Sequence, residues 1–236
     1  MPHAIQENLA FINQQIEQCE RQYNREKGSV RLLAVSKGQP IEKIEKAYAA
    51  GQRRFGENYL QEALPKINAL SKLPIEWHFI GPIQSNKIRK IAAHFDWVES
   101  IDAGGLAKHF NDERPHDLPP LQICIQVNIG DEKTKHGVKP EEVFSLAQYC
   151  LTLPRLNLRG LMTIPPPCEK FNEQRQAFHQ LYKLQQQLKA QGIILDTLSM
   201  GMSADFAAAI AEGSTMIRIG TAIFGKRVVK RRELPL

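Results

Sequence analysis

Lys37 is the residue with the most chemistry to offer. It lies in the stretch VRLLAVSKGQP, residues 30–40, where Leu32, Leu33, Ala34 and Val35 form an apolar run of the length of a buried strand. Gly38 and Pro40 then break the pattern, so the lysine stands where a buried strand gives way to a loop. An ammonium is strongly hydrated, and burial favours the neutral amine. A neutral amine at the mouth of a core attacks carbonyls, which is Schiff-base chemistry. The plain alternative is a lysine whose stem lies along the strand end with its head in water. These residues alone leave both readings open.

A second group sits toward the end of the chain. Ser199-Met200-Gly201-Met202-Ser203 and Arg218-Ile219-Gly220-Thr221 each combine a strand end, a glycine and a hydroxyl. Turns of this kind expose backbone N–H groups and suit an anion such as phosphate. Ser203 equally suits a helix N-cap. Arg218 lies between Ile217 and Ile219, and strand alternation points it opposite to both. Buried there, it must meet a carboxylate of the wall or a ligand atom. Asn58, the segment Gln84-Ser85-Asn86, Asn128 and Thr163 also follow strand candidates. His78, in WHF, sits within a strand and reads as a core histidine with a satisfied hydrogen bond. Asp131, Glu132, Lys133, Lys135 and His136 read as a solvated loop. There is no GxSxG, HExxH or triad signature. The four cysteines, Cys19, Cys124, Cys150 and Cys168, are scattered without a CxxC pair, so neither a disulfide framework nor a metal site is expected, and Cys124 reads as a small core residue.

The elements that must position these residues alternate regularly. Apolar runs predict eight strands: one ending at Lys37, then 53–55, 75–80, 95–101, 121–129, 156–163, 193–200 and 216–220. Helical spacing falls between them, the longest over 171–190. Strict alternation implies a parallel sheet with right-handed crossovers, and eight units fit a single (β/α)8 TIM-type barrel of the α/β class. An open doubly wound sheet is the alternative. Ile5, Leu9, Ile12 and Ile16 add an amphipathic helix within residues 1–28 that packs on the barrel. The whole chain, 1–236, reads as one domain with a basic tail over 226–236. In a barrel the active site lies at the carboxyl ends of the strands. Lys37, Asn58, Ser203 and the 218–221 run would then share one mouth.

Composition narrows the rest. Hydrophobic residues make up 42% and charged residues 24%, ordinary for a globular chain. No apolar run reaches the ~20 residues of a membrane helix, and the N-terminus has no signal-peptide pattern, so residence in the cytoplasm is expected. The formal charge is +6. Much of it gathers in Lys226, Arg227, Lys230, Arg231 and Arg232, with no interleaved aromatics, so nucleic acid is not an expected partner. No apolar stripe calls for an obligate dimer, and a monomer is expected.

Taken together, AVSKGQP, FGENYLQE, HFIGPIQSNK, VNIGDEKTKHG, RGLMTIP and LSMGMSADF, followed by AIAEGSTMIRIGTAIFG, resemble the pyridoxal phosphate homeostasis protein family over about residues 30–225. The resemblance implies the fold of the alanine racemase N-terminal domain and a pyridoxal 5′-phosphate (PLP) cofactor. Lys37 would carry the cofactor as an internal aldimine, a Schiff base. Ser203, Gly220 and Thr221 would bind its phosphate, and Arg218 would face its pyridine nitrogen. Asn58 and His78 would line the pocket, with Met200 and Met202 packing nearby. Many relatives carry a second lysine two residues beyond the first, where this chain has Gln39.

The implied role is intracellular PLP storage and delivery, with PLP-dependent apo-enzymes as acceptors and an indirect effect on amino-acid and keto-acid levels. A guanidinium beside the pyridine nitrogen disfavours its protonation, and an unprotonated ring is a poor electron sink. Racemases built this way bring a second base from another domain, and this chain ends at Leu236, soon after its last strand. Little or no catalysis is therefore expected. A PLP-dependent amino-acid racemase or lyase, with His78 or a partner chain as second base, is the alternative. A cofactor-free aldolase using Lys37 is a third reading.

Overall fold

The computed structural model describes residues 4–130 and 136–225. Eight strands close into a barrel in chain order: β1 (Arg31–Val35), β2 (Arg54–Glu57), β3 (Glu76–Phe79), β4 (Trp97–Ile101), β5 (Leu121–Gln126), β6 (Leu156–Met162), β7 (Thr197–Ser199) and β8 (Met216–Ile219). Every pairing is parallel, and β8 returns to β1 with Arg31 opposite Met216 and Ala34 opposite Ile219. That last pairing excludes the open sheet. The helices between strands are α2 (Ile41–Ala49), α3 (Leu60–Ala69), α4 (Ile88–His94), α5 (Gly104–Glu113), α6 (Val143–Leu151), α7 (Phe171–Ala190) and α8 (Phe206–Ala211). Before them comes α1 (Ala4–Gln22), and after β8 comes the single turn α9 (Thr221–Phe224).

The predicted elements are all present, with shifted ends. β5 stops at Gln126 rather than 129, and β7 is only three residues long. Ile193 and Leu195 are buried, but outside β7, because they pack on the core from the connecting loop. The turn α9 has too few residues to show a helical period. The tail at 226–236 and the loop residues 131–135 lie outside the described residues.

Strand alternation separates two environments. Outward residues such as Phe55, Phe79, Val98, Ile123, Leu161 and Ile217 form one large core with the helices. The apolar stripe of α1 joins that core through Ile5, Leu9, Ile12 and Ile16. Its Asn8 Nδ2 donates to the Ile223 carbonyl at 2.9 Å, which ties α1 to α9. The inward set is different. Barrel interiors are usually filled by branched aliphatic residues, yet this one holds His78, Glu99, Ser199 and Arg218, all buried. Trp97, Cys124 and Met162 form a separate small apolar cluster. Gly56 leaves room on the inner wall, since a Cβ there would come within 3.1 Å of Ile80 Cδ1 and 3.3 Å of Leu33 Cδ2.

Candidate functional site

A cavity of about 200 Å³ opens at the carboxyl ends of the strands. It is below the ~300–1,000 Å³ typical of drug-sized ligands, so it suits one compact molecule. Lys37 reaches it from the turn after β1, Asn58 from the end of β2, and Ser203 from the loop after β7. Arg218, Gly220 and Thr221 reach it from β8 and the turn that follows. Val35, Ile80, Ile164 and Met202 supply apolar wall. Seven of the nine residues that the resemblance assigns to the pocket therefore meet at one mouth.

His78 and Met200 do not line the cavity. Ser199 points into the barrel, so Met200 points out and packs in the main core. Met202, two residues on, takes the place at the wall. His78 is on the inner face, but one layer below Ile80. Its Nδ1 lies 2.7 Å from Glu99 Oε1 and its Nε2 lies 2.9 Å from Glu76 Oε1. Its ring stacks on Trp97 with centroids 5.1 Å apart. Gln84-Ser85-Asn86 and Asn128 are also off the wall, and Thr163 contributes a carbonyl to the arginine instead of its hydroxyl.

Arg218 reaches a carboxylate of the barrel wall only through Ser199. It faces the cavity, and a carboxylate lies beneath it. Nη1 donates to Ser199 Oγ at 2.7 Å and Nη2 to the Thr163 carbonyl at 2.8 Å. Ser199 Oγ in turn donates to Glu99 Oε2 at 2.5 Å. Those bonds use two of the five N–H donors of the guanidinium. A hydrogen-bonded column thus runs from Arg218 through Ser199, Glu99 and His78 to Glu76 at the other end of the barrel. Burial pushes the Glu99 carboxyl up, but His78 and Arg218 outweigh it and hold it below its ordinary value. Burial likewise opposes charge on His78, and the hydrogen bonds to Glu76 and Glu99 win, raising it. Burial lowers Arg218 against the pull of Glu99 and Asp205. Glu99 escaped notice in the sequence, although an acid inside the buried strand WVESI was its signal.

Gln39 also lines the cavity. Its Oε1 accepts from Lys43 Nζ at 2.9 Å, and the same ammonium donates to the Phe224 carbonyl at 2.6 Å. An amine is therefore held beside Gln39, tied to the end of α9.

Residues 4–228 match the family model of the alanine racemase N-terminal domain. The pyridoxal phosphate homeostasis protein of Vibrio cholerae is 50% identical over 232 residues, covering 97% of this chain and 98% of that protein. The chain belongs to the pyridoxal phosphate homeostasis protein family. PipY of Synechococcus elongatus, solved with PLP bound, superposes with a TM-score of 0.82 at 38% identity, over 94% of this chain and all of that one. An alanine racemase from Clostridium difficile shares the fold, with a TM-score of 0.74 at 13% identity, over 94% of this chain and 56% of that one.

Proposed function

We propose that this member of the family binds pyridoxal 5′-phosphate in the carboxyl-end cavity, with Lys37 as its covalent anchor, and stores and delivers it with little or no catalysis. The observation that carries this is the makeup of the wall. Among the described residues, Lys37 and Arg218 are its titratable side chains, and no carboxylate lines it. The chemistry of the wall fits the cofactor group by group. The Lys37 amine would take the aldehyde, the Arg218 guanidinium would face the ring nitrogen, and the hydroxyls of Ser203 and Thr221 beside Gly220 would hold the phosphate. Asn58 Oδ1 is buried without a hydrogen-bond partner, an acceptor left for a ligand donor.

When bound, the cofactor supplies a reactive aldehyde and an electron-withdrawing ring. Arg218 would keep its own protons and donate at the ring nitrogen, leaving that nitrogen unprotonated and the ring a weaker electron sink than a pyridinium. Racemisation needs two bases, one for each face of the substrate. His78 has both ring nitrogens committed to carboxylates one layer below the cavity. These features favour a carrier over a racemase or lyase. We read it as working as a monomer in the cytoplasm, with PLP-dependent apo-enzymes as recipients. No helix among the described residues is long and apolar enough to cross a membrane.

The test is an absorbance spectrum of the purified protein, then borohydride reduction and peptide mapping. A cofactor band with the reduced pyridoxyl group on the Lys37 peptide, and no turnover across an amino-acid panel, is the expected result. Lys37-dependent racemisation of alanine would overturn the carrier assignment.

A further inference from the structure

A buried ion pair lies just behind the cavity and takes no part in its wall. Lys66 of α3 and Glu57, the last residue of β2, are 6% and 0% exposed. Lys66 Nζ lies 2.7 Å from Glu57 Oε1. The same ammonium donates to the Ser36 carbonyl at 2.9 Å, and Ser36 Oγ donates to Glu57 Oε1 at 2.6 Å. Four residues before Lys66 on α3, Glu62 Oε2 accepts from the Gly38 N–H at 3.0 Å. Gly38 has φ +68°, so the turn that carries Lys37 passes through the left-handed region.

These bonds have a common target. Lys66 grips the carbonyl of the residue before Lys37, and Glu62 grips the amide of the residue after it. Glu57 is bonded to Ser36 and directly precedes Asn58. A buried ion pair is usually no more stable than well-packed apolar residues of the same volume. Packing therefore gives no reason for Lys66 and Glu57 to be charged. Directional bonds to the strand ends do give one, because the orientation of a reacting group sets the rate of its attack.

We propose that Lys66, Glu57 and Glu62 are positioning residues for the Lys37 amine, a clamp from α3 and the end of β2 that fixes the turn Ser36-Lys37-Gly38 and presents the amine to the cavity. The inference rests on the assignment of Lys37 as the cofactor anchor and extends it to residues that touch no ligand.

The experiment measures the rate at which added PLP is captured on Lys37 of the cofactor-depleted full chain, trapped with cyanoborohydride and quantified on the Lys37 peptide. Lys66→Met, which keeps the aliphatic stem, is expected to slow capture by about tenfold or more. Glu62→Ala, at an exposed site, is expected to slow it several-fold while the urea midpoint stays at the natural value. Glu62→Gln, whose amide oxygen still accepts from Gly38, is expected to restore the rate. A structural role alone would not produce that split between rate and stability. If Lys66→Met fails to fold, the Glu62 pair decides. Natural-rate capture in the folded variants would overturn the clamp alone. No capture on Lys37 in the natural chain would overturn the cofactor assignment and the clamp together.

Discussion

At the amino mouth of the barrel, Arg54 is bonded to Glu76, Arg159 to Asp196, and Arg114 to the carbonyls of Ala92, Phe95 and Pro119. At the carboxyl mouth, Lys37 and Arg218 share a wall that has no carboxylate among the described residues. The cavity at the amino mouth is the larger, about 680 Å³ against about 200 Å³. Size therefore does not mark the site. What differs is where the charges are used. Cations at the amino mouth are largely taken up by carboxylates and carbonyls of the fold, as expected of the stabilising end of such a barrel. The arginine at the carboxyl mouth is neutralised from below, through Ser199 and Glu99, and keeps donors for a ligand.

The sharpest way to break this contrast is to remove one cation from each end. Lys37→Ala should abolish covalent PLP capture, and Arg159→Ala should leave it intact, read by reduction and mass mapping. Next in size is the column between the mouths. His78→Leu leaves Glu99 charged and buried with one partner fewer, and should cost about 3–5 kcal/mol in urea unfolding. Asp196→Ala, in a partly exposed pair, should cost at most ~1 kcal/mol. A smaller effect is expected at the phosphate end. Ser203→Ala should weaken PLP affinity by roughly five- to tenfold, the worth of about one hydrogen bond, with stability unchanged.

The smallest effect is a pH dependence confined to the amino mouth. Burial raises the Glu76 carboxyl, but the hydrogen bond from His78 and the charges of His78, Arg54 and Arg31 overcome it and bring it down from 4.5 to about 2. Its contribution to stability is present above the unfolded value and is lost as pH falls from 4.5 toward 2. The side chain is 37% exposed, so solvent screening keeps that contribution small. Glu76→Gln should flatten this acid limb in a urea titration series. His78 acts in the opposite sense. Its raised value gives stability that is present below 6.5 and lost as pH rises through the folded value.

Much of the fold was legible in the residue order, because periodicity is a local property. Apolar runs of strand length alternating with helical spacing were enough to predict eight β/α units, and the ends of those runs located Lys37, Asn58, Ser203 and Arg218. Strand alternation alone turned Arg218 inward. Closure, register and depth were decided only by the tertiary structure. Whether an inward residue reaches the cavity or stops one layer below depends on how neighbouring strands are staggered, which is why Ile80 lines the wall and His78 does not. The counter-charge of Arg218 is Glu99 on β4, bonded to a serine 100 residues further along the chain. The grip of α3 on the Lys37 turn likewise joins residues that a local pattern cannot connect. Hydrophobic patterning specifies which face of an element is buried. Which polar groups meet inside the barrel follows only once it has closed.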